Sequence, residues 1–486
     1  MYKCLFNHEL LIAGTTQTPW QRYEKGICEA QLRGFIEELQ GTDVDAVMLC
    51  PTAWRRNLWP SQVDPHWQNE APGMPEPCPG TPMKYHEKAY FRWREFMLRG
   101  LDPVEITCDA VRKAGMGLFF SYRMNDHHHF AHRNSPTHNT PYLQLRDAQF
   151  LPGRPLDENT TGFLDYADER VRRYYFEILR ELWFRYAPDG LELDFMRSPV
   201  FFREGTNGTE VMTKFVRDIR GMIGAKPLCV RVPATPAEAM KAGLDVATWL
   251  REGLVDMVNV SSFFINDLRL GIRQYRALSN RGAIYGEMHF IVESGAFGDF
   301  SNNVFRKTNR EQYRAMAHRY LSQGADGVSL FNFDYTRDHH FGEPRRLGDF
   351  GCEPPLDVLR GITDFRSLDA ASRHYYFRAN QFDEKDDRNA RLQIVLSPCR
   401  RSVLRVTLKD AMRSPMVRAH LDGEPLPEIM YPGELFAPLT TEALPEHART
   451  WFFELPANAS GSHTLTLSQV GLKRSEWTSA EYAVYK

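Results

Sequence analysis

Eight short apolar runs recur over the first 345 residues, and nearly every one is followed by a segment with helical spacing. The runs are KCLFNHELLI, DAVMLCP, MGLFFSY, GLELDFM, PLCVRVP, VDMVNVSS, AIYGEMHF and DGVSLFNF. Between them lie EAQLRGFIEELQ, PVEITCDAVRKAG, DERVRRYYFEILRELWFRY, TEVMTKFVRDIRGMIG, DVATWLREG, NDLRLGIRQYRALSN and REQYRAMAHRYLSQG. Apolar residues in YFEILRELWF return at intervals of three and four, as a helix packed on a sheet requires. Parallel strands can only be joined by long crossovers, so this alternation predicts parallel pairing with helices outside. Eight units predict a (β/α)8 TIM barrel. An open, doubly wound sheet is the competing arrangement, and the lack of a Gly-rich phosphate loop counts against it.

Two connections are too long for this rhythm. Residues 51–92, after the second run, are rich in proline and aromatics, and residues 124–163 follow the third. Loops of that length are usually functional or disordered, and Trp54, Trp59 and Trp67 favour the first. Beyond residue 385 the pattern changes to short alternating strands such as RLQIVLSP, VLRVTLKD, RTWFFELP and HTLTLSQV. The expected division is a barrel over 1–375 and a C-terminal antiparallel β-sandwich over 376–486.

At 486 residues and 42% hydrophobic the chain can bury more than one core. A formal charge of −2 gives no basic field for nucleic acid or anionic membrane, and no apolar span of membrane length occurs. The eight cysteines are scattered, without a CxxC pair, which predicts buried free thiols. The N-terminal apolar stretch is broken by Asn7, His8 and Glu9, unlike a signal peptide, so the expected location is the cytoplasm unless a leader has been trimmed.

In such a barrel the C-terminal strand ends converge on one mouth, where active sites lie. The polar residues ending the runs are therefore the candidates: Asn7, Arg123, Asn125, Asp126, His128, Asp194, Arg197, Arg231, Asn259, Glu287, His289 and Asn332. Glu9, Ser261 and Asp334 occupy similar places. In DGLELDFMR, period-two alternation turns Glu192 and Asp194 onto the inner face together. Burying repeated charge is costly, so an interior of this kind points to a ligand.

Asp194 and Glu287, at strand ends 4 and 7, suit glycoside cleavage. That reaction takes one proton donor for the leaving oxygen and one carboxylate to attack the anomeric carbon or activate water. Each could instead be structural, Asp194 paired with Arg197 or Arg231. Arg123, Arg197 and Arg231 could clamp a uronate or a sulfated sugar, or could neutralise the neighbouring acids. Trp54 and Trp59 could stack on sugar faces, or pack the loop. The run NDHHHF raises a metal site at His127, His128 and His129, but consecutive histidines on an extended segment cannot all face one ion. No metal or cofactor is expected.

The segment LDYADERVRRYYFEILRELWFRYAPDGLELDFMR, residues 164–197, resembles the glycosyl-hydrolase-like barrels related to family 10. Phe184, Arg185 and Tyr186, with Asp189 and Gly190, match the pattern leading into that group's fourth strand, and Asp194 falls on its strand-end aspartate. The run VATWLREGLVDMVNVSS is similar to the same group's sixth-strand region. The resemblance implies a carbohydrate hydrolase with Asp194 in its active site. The chain departs from it at Phe195, where relatives often carry a second aspartate, and it lacks the Asn-Glu pair of the wider superfamily of retaining barrels. Glu287 suits that superfamily's nucleophile position.

The leading expectation is thus a glycoside hydrolase acting on an oligo- or polysaccharide, with a homo-oligomer left open. A carbohydrate-binding barrel without catalysis is the first alternative, and a metal-dependent hydrolase using His127–His129 the second.

Overall fold

The computed structural model describes residues 1–16, 18–21, 25–65, 85–128, 130, 138–294, 305–337, 353–409, 416–430, 449–471 and 475–486. The barrel strands are β1 (Cys4–Glu9), β2 (Ala46–Cys50), β3 (Gly117–Arg123), β4 (Gly190–Asp194), β5 (Leu228–Val232), β6 (Met257–Val260), β7 (Ala283–His289) and β8 (Gly327–Phe331). They close in chain order, with β1 pairing β2 on one side and β8 on the other, and every pair is parallel. This is a (β/α)8 barrel.

Sequence chemistry explains the outer layer. Asp102 caps the helix Pro103–Lys113 by accepting from Val104 and Glu105, with Pro103 at the first helical position. The helix Glu169–Tyr186 starts at Asp168 and turns Val171, Tyr175, Ile178, Leu179 and Leu182 inward. Asn309 and Gln312 form a reciprocal cap on Arg310–Ser322. The run NDLRLGIRQYRALSN yields only Ile272–Leu278, beginning after Gly271.

Alternation along β4 sends Leu191 and Leu193 outward to the helices and Glu192 and Asp194 inward. The interior is layered. Its lower part is apolar: Leu5, Ala46, Met48, Phe119, Cys229, Met257, Ala283 and Tyr285. Polar side chains occupy the upper part, towards the strand C-termini, so one end of the barrel is a plug and the other a site.

The C-terminal region forms two antiparallel five-stranded sheets, the expected β-sandwich. Its strands in chain order are β9 (Arg373–Arg378), β10 (Glu384–Lys385), β11 (Asn389–Leu396), β12 (Arg401–Lys409), β13 (Met416–Leu421), β14 (Glu424–Pro425), β15 (Glu428–Ile429), β16 (Arg449–Leu455), β17 (Gly461–Val470) and β18 (Glu476–Tyr485). One sheet runs β9-β18-β12-β16-β15 and the other β10-β11-β17-β13-β14. Residue 376, where the sandwich is expected to begin, lies inside β9. Bonds that join this region to the barrel include Tyr375 Oη with His318 Nδ1 at 2.9 Å, and Gln381 Nε2 to the Asn266 carbonyl at 2.8 Å. Among the described residues no helix is long and apolar enough to cross a membrane.

Candidate active site

Arg231, at the fourth position of β5, organises the upper interior. Its Nη1 donates to both oxygens of Asp194 at 2.9 and 3.1 Å. Nε and Nη2 donate to Glu287 at 2.6 and 2.8 Å, and Nη2 also donates to Ser261 at 3.1 Å. The guanidinium carries five N–H groups, and these five bonds use them all. Its carbon also lies 3.8 Å from the centre of the Phe331 ring. Arg231 therefore holds the two carboxylates and has no donor left for a substrate.

β5 and β7 are not neighbours in the sheet. Arg231 meets Glu287 because inward side chains of alternate strands share one layer of a barrel interior. Glu287 also accepts from the Ser261 hydroxyl and, at 3.2 Å, from Asn259. His289 Nε2 stands 3.1 Å from it. Burial alone would raise Glu287, but Arg231 and His289 prevail and hold it at about 2, so it is ionised at neutral pH. Asp194 accepts additionally from the Met196 amide at 2.8 Å.

One layer down, Glu192 accepts from Ser121 at 2.6 Å, Asn259 at 3.3 Å and Cys229 at 3.3 Å. Burial and the nearby acids push its carboxyl up to about 7. The stack thus pairs a firmly ionised Glu287 with a Glu192 that exchanges its proton near neutrality. Asn7 reaches Ser121 at 3.4 Å, at the same level.

Next along the rim, beside Asp194, Arg123 Nη2 lies 2.6 Å from Glu9 and Nη1 donates to Asp126 at 3.2 Å. Tyr335 donates to Glu9 at 3.1 Å. His128 Nδ1 lies 2.5 Å from Asp126, and its Nε2 faces Arg197 Nη2. Burial and Arg197 lower His128 to about 3, so the ring is neutral; its partners assign the proton to Nδ1 and leave Nε2 to accept from Arg197.

Buried polar atoms without a partner gather here: Asn7 Oδ1, Arg123 Nε, Asn259 Oδ1, His289 Nδ1 and Asn332 Oδ1. Unmet groups are uncommon in folded interiors, and five in the upper half of the barrel mark a place where ligand can supply the bonds. Strain collects at the same rim. Trp54, Phe263, Phe264 and Asn332 have φ of 54°, 49°, 71° and 55°, and all follow barrel strands at their C-terminal ends. A cavity of about 440 Å³ opens beside β4, β5 and β6, lined in part by Met196, Pro233, Lys241, Ser261 and Ser262. Its volume suits a small ligand, and Ser261 connects it to Glu287.

Other expected residues have different surroundings. Asn125 spends its amide on the backbone of Leu164 and Val200 and accepts from Tyr142, bracing the loop after β3. Trp59 is fully buried and donates to Glu181 at 3.0 Å; Trp54 is 3% exposed. Neither ring offers a face to solvent. His127 packs against Phe130 and Phe163, while Trp67 and His129 lie outside the described residues. Among the described residues no group of three His, Cys, Asp or Glu could hold a metal ion.

Ser121, Ser329, Tyr335 and Arg55 were not anticipated. Hydroxyls inside a strand give little sequence signal, although inward alternation would have marked Ser121 and Ser329. Gln381 acts from further away. It bonds the Asn266 carbonyl, while the Asn266 side chain accepts from the His289 amide at 2.6 Å and donates to the His289 carbonyl at 2.8 Å. The sandwich thereby braces the strand end that carries Glu287.

Fold and site together define a (β/α)8 barrel with an acid–arginine–acid cluster at its mouth and a β-sandwich appended. No family model matches the chain, and no curated protein does. The resemblance to family-10-related barrels therefore rests on the quoted segments alone. Among solved structures, the α-amylase of Geobacillus thermoleovorans in complex with acarbose matches at 13% identity, covering 100% of this chain and 98% of that one, with a TM-score of 0.42. The α-L-fucosidase isoenzyme 1 of Paenibacillus thiaminolyticus matches at 12% identity over 96% and 97%, TM-score 0.37. A cycloisomaltooligosaccharide glucanotransferase of Paenibacillus sp. matches at 11% over 99% of this chain, which spans 57% of that enzyme's chain, TM-score 0.34. Likenesses this distant carry no argument about function, and the fold stands on the strand pairing itself.

Proposed function

We propose that this chain is a glycoside hydrolase in which Asp194 and Glu287 are the reacting carboxylates. The observation that supports it most is their meeting on one guanidinium at the C-terminal ends of β4 and β7. Two hydrogen bonds of roughly 2.9 Å on either side of a guanidinium hold the facing oxygens within about 8 Å, a span that covers both retaining and inverting geometries. Glu287, kept ionised, suits the role that needs an anion: attack at the anomeric carbon, or activation of water against it. Asp194 is then the partner that protonates the leaving oxygen as the C–O bond breaks, while water supplies hydroxyl to carbon and the proton that restores the acid.

The substrate in this reading is an oligo- or polysaccharide entering from the strand ends. Asn7, Asn259, His289 and Asn332 carry the unmet polar atoms that would bind its hydroxyls. An acidic sugar is preferred because Arg197, at the rim beside Phe263, forms no ion pair with a described acid.

The test is to incubate parent, Asp194→Asn and Glu287→Gln with a library of neutral, uronate-containing and sulfated oligosaccharides and to follow cleavage by mass spectrometry. Loss of about 10²–10⁴-fold or more in each variant is expected for residues in acid–base or nucleophilic roles. Parent-like cleavage by both variants would remove the assignment.

A second reading has one observation in its favour. Asp194 is 1% exposed and Glu287 0%, and their lone pairs are largely taken by Arg231, Ser261 and the Met196 amide. A carbohydrate-binding barrel with a structural ion cluster would look the same. Calorimetric binding of an oligosaccharide by a parent protein that cleaves none of them would select it.

A further inference from the structure

Arg55, Arg123, Arg197 and Arg231 stand near the strand C-termini, and the protein treats them in two ways. Arg123 lies against Glu9 and Asp126, and Arg231 between Asp194 and Glu287. Despite burial, the surrounding acids raise both guanidinium groups above their ordinary range. Arg55 and Arg197 are lowered instead, Arg55 by burial and Arg197 by burial and the repulsion of Arg123. Neither forms an ion pair with a described acid. Arg55 Nε and Nη2 are buried without a partner, and the group rests 3.9 Å over the Tyr142 ring.

The pairing is uneven among the described residues. Glu9 and Asp126 pair with Arg123, and Asp194 and Glu287 share Arg231, while Arg55 and Arg197 stand beside them without an acid of their own. A cation inside a protein without a counter-ion is unfavourable, and an arriving anion relieves that cost. Arg55 is shut away from solvent. Arg197 is half-buried, donates one N–H to the neutral His128, and lies 5.1 Å over Phe263 with its remaining N–H groups uncommitted among the described residues.

We propose that Arg197 reads an oxyanion on the sugar, the carboxylate of a uronate or a sulfate ester, through the paired N–H geometry that guanidinium offers such groups. Phe263 holds the fork flat from one face, and His128, its proton fixed on Nδ1 by Asp126, anchors one Nη. Arg123 and Arg231, whose charges are already matched, are positioning residues. The assignment rests on the proposal that the barrel binds saccharide, but not on its cleaving one.

The experiment uses the full chain on an array of uronate-bearing, sulfated and neutral oligosaccharides, with affinities for bound sugars then measured by calorimetry. Parent protein is expected to prefer acidic sugars. Arg197→Gln is expected to reduce that preference, the ratio of acidic to neutral affinity, by about tenfold or more, the worth of one charge-assisted pair. Arg197→Lys, which keeps the charge and loses the fork, is expected to fall between the two, and it decides the question if the glutamine variant melts early. Retention on uronate spots assigns the carboxylate, and retention on sulfated spots assigns the sulfate. Preference for neutral sugars, or an unchanged ratio in Arg197→Gln, overturns the proposal and leaves the hydrolase reading standing. Binding of acidic sugars through Arg197 without turnover does the reverse.

Discussion

Replacing Arg231 with methionine, similar in volume and uncharged, removes the five bonds to Asp194, Glu287 and Ser261 while leaving both carboxylates in place. Stranding one buried partner of an ion pair costs about 3–5 kcal/mol, and here two like charges are left facing each other, so the upper end applies at pH 8. The loss should depend steeply on pH. In the parent the depressed Glu287 contributes stability above its unfolded value that disappears as pH falls towards 2. In the variant the stranded carboxyls are raised, so they cost nothing while protonated and destabilise as pH rises through the unfolded value. The parent's contribution is almost complete at pH 5, so the change between pH 5 and pH 8 comes from the stranded carboxyls of the variant, and the loss at pH 5 should be measurably smaller than at pH 8. Urea unfolding followed by tryptophan fluorescence at both pH values measures this. The triple variant Arg231→Met, Asp194→Asn, Glu287→Gln should recover most of the stability at pH 8. An equal loss at pH 5 and pH 8, or a triple variant as unstable as the single one, would refute the reasoning.

Glu192→Gln should stabilise the protein at high pH. A carboxyl raised to about 7 holds its proton in the fold and loses it unfolded, so the parent loses stability from about pH 4.5 to pH 7, on the order of 3 kcal/mol. The difference in melting midpoint between variant and parent should therefore grow from pH 5 to pH 8; a constant difference would contradict the assignment. Gly190→Ala places a methyl 2.2 Å from Phe119 Cε1 on β3 and 2.6 Å from the Pro227 backbone oxygen just before β5. A loss of about 1–3 kcal/mol in urea unfolding is expected, and a neutral effect would mean that β3, β4 and β5 pack less closely than described.

The barrel was legible because parallel pairing forces a helix after each strand, and each apolar run with its following amphipathic segment announces one unit. The gathering of polar residues at one mouth follows from the same topology. Which arginine meets which acid does not. Arg231 sits beside Asp194 in the register of β4 and β5, but it meets Glu287 across a strand, through stagger that no local pattern records. Trp54 and Trp59 show a second limit: loop aromatics read alike whether they face a ligand or, as Trp59 does, fill the space under a helix and bond Glu181. In the sandwich, Glu481 interrupts the apolar run of β18, which weakens its strand signal. Glu481 is buried against Arg405 at 2.7 Å and His374 at 2.8 Å, partners 76 and 107 residues away, and only the folded sheet brings them together.

If the carboxylates on Arg231 break a glycosidic bond, losing one of them must slow turnover in a protein that still folds. The most direct trial is the turnover of Glu287→Gln relative to parent, on the best substrate of the oligosaccharide library, with folding checked by melting midpoint. A folded protein slowed by about 10³-fold or more is expected. A folded variant within tenfold of parent would contradict the assignment of Glu287.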